Sequence, residues 1–134
     1  MAKTAADTRP ISPHLQIWRP TPTMAASITH RATGMALYSG TLLLAIWLIA
    51  AAAGEDAFNA VQALYGTPIG LLIFFGYTWA LLFHLMNGVR HLIWDTGRGL
   101  EPKTATGGAI AIYILSVVFA VVVWVAGFMM QGGA

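Results

Sequence analysis

The sequence predicts an all-α membrane protein built from three transmembrane helices. Three observations carry this. Of the 134 residues, 57% are hydrophobic and 9% are charged, against about 25% charged in an ordinary soluble domain, and the mean hydropathy is +0.70. Three apolar runs each approach or exceed the ~20 residues that a helix needs to cross a bilayer. The seven basic residues are also distributed unevenly: Lys3, Arg9, Arg19, Arg31, Arg90, Arg98 and Lys103 all precede the first run, sit at its start, or surround the connection between the second and third.

The elements follow in order. Residues 1–26 contain Arg9, Pro10, Pro13, Arg19, Pro20 and Pro22 without an apolar core, which fits neither a secretory signal peptide nor an organelle transit peptide. They are expected as an extended arm, and residues 27–134 as the three-helix anchor domain. The first span is placed over roughly Met35 to Ala53, with a polar lead-in from about Ser27. The connection after it carries Glu55 and Asp56 and an apolar spacing of Phe58, Val61 and Leu64, which suits a short interfacial helix or a plain loop equally. Thr67-Pro68 suits the start of the second span, since proline is tolerated in a first helical turn. That span runs from Pro68 through Phe83 and on into the stretch HLMNGVRHLIWD. Gly107-Gly108 is expected to mark the turn before the third span, Ala109 to Met130. The one-sided basic residues then put the N-terminus inside and the C-terminus outside.

Composition also excludes classes of function. With no cysteine, the chain holds no disulfide framework, no thiolate-bound iron–sulfur cluster and no covalently attached c-type haem. A net charge of +2 with scattered carriers is no footprint for nucleic acid.

The informative residues are polar groups at the inner rim. Ser27, His30, Arg31 and Gly34 share a helical face, being three, four and seven positions apart. His84, Gly88, His91 and Asp95 do the same on the second span. Counting about 1.5 Å per residue from Ser27 and from Asp95 puts His30 about 4–5 Å and His91 about 6 Å into the helix, but His84 about 16 Å, so His30 lies roughly 10 Å shallower than His84. An ionisable residue inside hydrocarbon is a functional-site hypothesis. As an isolated histidine, His84 reads first as an interhelical hydrogen bond. As a neutral, buried imidazole it also reads as a haem ligand. Gly88 either leaves room for a flat macrocycle or allows close helix packing. Arg31 either meets an anionic group or snorkels to the headgroups, and for Arg90 snorkelling is preferred. His84 and His91 leave the same helix face and cannot clasp one iron between them. His14 lies outside the membrane, so a second axial ligand would have to come from another chain.

These residues carry a resemblance. RPISPHL (Arg9 to Leu15), SITHRATG (Ser27 to Gly34) and HLMNGVRHLIWDTG (His84 to Gly97) resemble the cytochrome b556 subunits of succinate dehydrogenase, the larger membrane-anchor subunit of that complex. The resemblance covers nearly the whole chain. It implies a membrane subunit that is not itself an enzyme, and with no transit peptide evident a bacterial inner (cytoplasmic) membrane is expected. Its partners would be a flavoprotein subunit, an iron–sulfur subunit and a second small membrane-anchor subunit, within membrane lipid. It further implies haem b shared with the second anchor, and ubiquinone as the substrate reduced by electrons from succinate. His84 matches the axial ligand to the haem iron. His30, Arg31 and His91 match positions near the haem propionates. Ser27 and Arg31 match residues of the quinone site, and Asp95, which sits in the motif, is a candidate for an ion pair or proton delivery. The arm would pack on the iron–sulfur subunit.

Other readings stay open at this level: a haem-free structural anchor in which His84 only packs, the anchor of a fumarate reductase running in reverse, and a small transporter using His84 and Asp95 as a relay. Neither broken spans nor paired halves, the usual marks of a transporter, are visible in the sequence.

Overall fold

The computed structural model describes residues 18–132. The RPISPHL motif, His14 and all of the expected arm before residue 18 lie outside that range. Four helices follow in order: α1 (Pro22–Ala53), α2 (Glu55–Tyr65), α3 (Pro68–Asp95) and α4 (Pro102–Gly132). Helices α1, α3 and α4 are each long and apolar enough to cross a membrane.

Local signals explain where the helices begin. Pro22 and Pro68 occupy first-turn positions, where a missing N–H costs nothing. The preceding threonines cap the free backbone donors: Thr21 Oγ1 accepts from the Met24 amide at 3.3 Å and Thr67 Oγ1 from the Gly70 amide at 3.1 Å. Helix α1 therefore starts five residues before Ser27. The connection expected as either a loop or a helix is a helix. Glu55 and Asp56 sit in the first turn of α2, where carboxylates offset the positive end of the helix dipole. Phe58 meets Trp47 edge-to-face at 5.6 Å and Tyr65 donates to the Leu43 carbonyl at 2.8 Å, so α2 is fastened to α1. Leu64, the last of the three apolar positions, is exposed.

The turn before the last span is not at Gly107-Gly108. Both glycines are inside α4, which starts at Pro102. The chain reverses at Gly97 and Gly99 instead, whose φ values of +76° and +72° suit glycine. Trp94 Nε1 closes this turn by donating to the Gly99 carbonyl at 3.0 Å. A glycine pair punctuates a chain only where a left-handed conformation is needed. In an apolar helix, each glycine costs only about 1 kcal/mol relative to alanine.

The helices pack through small residues. Ala26, Thr33, Gly40, Ala80, Ala109, Ser116 and Ala120 are all buried, while many of the large aliphatic side chains point outward. That is the pattern of helices in lipid, where small residues allow close approach and nothing drives leucine inward. Side-chain hydrogen bonds cross the seams: Thr29 to Tyr113 (2.6 Å), Trp79 Nε1 to Ser116 Oγ (3.1 Å) and Trp124 Nε1 to Thr78 Oγ1 (3.1 Å). Each contributes on the order of 0.6 kcal/mol in a membrane bundle. The start of α1, the end of α3 and the start of α4 meet at one end of the bundle, so Arg19, Arg31, Arg90, Arg98 and Lys103 collect there. Glu55 and Asp56 belong to the opposite end.

Candidate functional site

The charged end of the bundle holds a stack of imidazoles. The rings of His30 on α1 and His84 on α3 lie with centroids 3.9 Å apart and 14° from parallel. His91, two turns along α3 from His84, has its ring centroid 5.2 Å from that of His30. The 10 Å offset in depth expected between His30 and His84 is therefore wrong. The physical reason is the early start of α1: the five additional residues before Ser27 add about 7.5 Å of helix and bring His30 nearly level with His84.

His84 is half-buried and its Nδ1 faces α1. It lies 3.2 Å from the carbonyl oxygen of His30 and 3.3 Å from Thr33 Oγ1. Thr33 also donates to the His30 carbonyl at 2.9 Å. A carbonyl only accepts, so His84 Nδ1 carries the proton, and the lone pair resides on Nε2. Gly34 lies against the same ring: a Cβ there would come 3.2 Å from His84 Cε1. Gly88 opens onto space, since a Cβ there would meet nothing within 4 Å. Of its two sequence readings, close packing within this chain is thereby removed. Buried His30 Nδ1 has no hydrogen-bond partner among the described residues, and an orphaned polar atom is costly unless something satisfies it.

Ser27 is half-buried and Arg31 exposed, one turn apart beside His30 on α1. Asp95 is exposed at the end of α3. The structure thus draws His30, His84 and His91 together and leaves Ser27 and Arg31 next to them at the rim.

Arg90 overturns the preferred reading of snorkelling. It is 8% exposed. Its guanidinium donates to Asn87 Oδ1 and to the Ala105 carbonyl on α4, both at 3.1 Å, and lies 4.0 Å over the Trp94 ring. It turns into the bundle, where the Ala105 carbonyl near the start of α4 offers it an acceptor. Asn87 and Thr33 were missed from the sequence. Both could have been found by spacing, Thr33 three residues after His30, and Asn87 three after His84 and four before His91.

The family described as "Succinate dehydrogenase/Fumarate reductase transmembrane subunit" matches residues 5–123. The succinate dehydrogenase cytochrome b556 subunit of Paracoccus denitrificans is 40% identical over 121 residues, covering 90% of this chain and 93% of that protein. The mitochondrial succinate dehydrogenase cytochrome b560 subunit of Sus scrofa is 37% identical, over 89% of this chain and 72% of its own. The cytochrome b556 subunit of Rickettsia bellii is 36% identical, over 87% and 91%.

Proposed function

This chain belongs to the succinate dehydrogenase/fumarate reductase transmembrane subunit family, and from that premise we propose that it carries a b-type haem and part of a ubiquinone site for the complex. It is a multi-pass inner-membrane subunit and not the catalytic one. Its partners in this reading are the flavoprotein, the iron–sulfur protein and a second small anchor. Its charged end faces the cytoplasm, with the segment before Pro22 lying on that side.

The observation that carries the haem assignment is the hydrogen bond between His84 Nδ1 and the His30 carbonyl. Metal-ligating histidines characteristically donate their other ring N–H to a carbonyl or carboxylate, which fixes the tautomer and ring orientation. The open space at Gly88 and the orphaned His30 Nδ1 suit the same group. His84 would hold the haem iron together with a group from the second anchor, and His30, Arg31 and His91 would lie toward the haem carboxylates. When bound, the haem would supply a one-electron store.

The chain's own residues do the rest. Reducing a quinone to quinol takes two electrons and two protons, and negative charge develops on the carbonyl oxygens. The Ser27 hydroxyl donates a hydrogen bond to one carbonyl. The Arg31 guanidinium supplies a fixed positive charge there, which stabilises the developing oxyanion. Both are at the rim, within reach of a water-side electron donor, while the apolar helix faces accept the isoprenoid tail.

A haem-free anchor is the second reading, because the same hydrogen bond also ties α3 to α1. A reduced-minus-oxidised spectrum of the purified complex separates the two. The proposal expects a b-type α-band that is lost or altered in His84→Ala. An unchanged spectrum in that variant would overturn it.

A further inference from the structure

Arg90 is a cation buried between α3 and α4, and among the described residues none of its contacts is a carboxylate. Buried arginines are rare without a charged partner, so what its hydrogen bonds accomplish is informative. A guanidinium has donors only. The Asn87 atom facing it at 3.1 Å must therefore be the acceptor, Oδ1. Asn87 is fully buried, and its amide cannot turn without breaking that bond. Its NH2 group then faces His91 Nε2 at 3.2 Å. The amide nitrogen is only a donor, so Nε2 must accept, and the proton of His91 is on Nδ1. The direction of each bond is dictated by the one before it, starting from the single group whose role is never ambiguous.

We propose that Arg90 and Asn87 are positioning residues: through the sequence of bonds Arg90 to Asn87 to His91 they fix His91 as its Nδ1–H tautomer and so set the one donor that ring offers to an oxygen ligand at the site. The functional half rests on the reading above that places the His30–His91 neighbourhood beside the haem propionates and quinone. The tautomer itself does not. The geometry ties α4 to the site as well, because Arg90 Nη2 donates to the Ala105 carbonyl. The third span, which carries no motif, thus contributes to the orientation of a site residue on the second.

The experiment uses the intact four-subunit complex labelled with ¹⁵N-histidine. The His91 signals are identified as those missing in His91→Gln. In the unaltered protein His91 is expected to be neutral and protonated on Nδ1. A ring protonated on Nε2 overturns the proposal without any further variant. The second arm is Asn87→Asp, which keeps the side-chain volume and the bond to Arg90 but offers His91 acceptors only. The proton is expected to move to Nε2. An unchanged tautomer in this variant also overturns the proposal, since it means that Asn87 only fills space. Ubiquinone reduction, expressed per unit of dye-linked succinate oxidation, is expected to fall about tenfold in Asn87→Asp, at the lower end of the effect of removing an orienting partner. If the tautomer moves while ubiquinone reduction does not, the bonding scheme stands and the placement of His91 at the quinone and haem fails.

Discussion

The backbone carbonyl of His30 accepts from His84 Nδ1 at 3.2 Å while the His30 ring lies stacked on the His84 ring at 3.9 Å. One residue of α1 therefore fixes a residue of α3 twice, by its main chain and by its side chain. Backbone carbonyls inside a regular helix usually accept only along the helix. The presence of Thr33, which donates to the same carbonyl at 2.9 Å, makes this turn of α1 unusually rich in polar contacts for a span in lipid.

Thr33→Val tests how much of this fixation is needed. Valine keeps the shape and removes the hydroxyl that lies 3.3 Å from His84 Nδ1. The His30 carbonyl remains, so His84 is still expected to bind haem. Its orientation is less constrained, and haem retention during purification is expected to fall by about tenfold, the lower end for loss of a partner that orients a ligand. The ratio of haem to flavin in the purified complex measures this. A ratio equal to wild type means that the carbonyl alone holds the ring.

Gly40 is buried where α1 meets α3, and a Cβ there would run into the body of the Tyr77 ring. Alanine is intrinsically the better helix former by about 1 kcal/mol, but overpacking of this kind costs about 1–3 kcal/mol. Gly40→Ala is therefore expected to lower the thermal midpoint of the complex. Tyr77→Leu in the same chain is expected to recover part of the loss and Tyr77→Phe none, since the ring is the obstacle and not the hydroxyl.

The charge distribution gives an orientation that can be tested without any site chemistry. Arg31, Arg90, Arg98 and Lys103 gather at one end of the bundle and Glu55 and Asp56 at the other. With the basic end inside, a cysteine at position 56 is expected to react with an impermeant thiol reagent in intact spheroplasts. A cysteine at Arg98 is expected to react only after lysis. The reverse pattern would invert the orientation.

Much of this was legible in the sequence. The three spans follow from apolar runs that approach or exceed what a bilayer requires, and the start of the second from Thr67-Pro68; the first and third helices start five and seven residues earlier than Ser27 and Ala109. The histidines were found because ionisable groups stand out in hydrocarbon. What sequence counting could not supply was the register between helices. The depth of His30 was measured from Ser27, and a start five residues earlier removed most of the supposed offset from His84. The fate of Arg90 was hidden for a similar reason. Whether an arginine near a helix end turns outward to headgroups or inward depends on what the neighbouring helix offers it, here the Ala105 carbonyl of α4, and no pattern within α3 records it. The glycine pair at 107–108 misled because glycine signals a turn only where the backbone needs a positive φ, and that need arose at Gly97 and Gly99.

Ser27 and Arg31 carry the last expectation. They occupy one face of α1 four residues apart, beside His30, with Ser27 half-buried and Arg31 exposed at the charged end. A quinone meeting electrons from a water-side protein has to come to this end of the bundle. Removing a donor from a developing oxyanion costs about 2.7–4 kcal/mol in enclosed enzyme sites, or 10²–10³ in rate. Arg31 is exposed in this chain, and water or a neighbouring group can replace part of its effect. Arg31→Leu is therefore expected near the lower end of that range, and Ser27→Ala, which removes a neutral donor, below it. Succinate oxidation by an artificial dye that takes electrons upstream of the quinone should remain close to wild type in both, because succinate is handled by another subunit. Ubiquinone reduction should fall. Should the two activities fall together in fully assembled complex, or should Arg31→Leu leave ubiquinone reduction intact, these residues would be interfacial anchors rather than part of the quinone site.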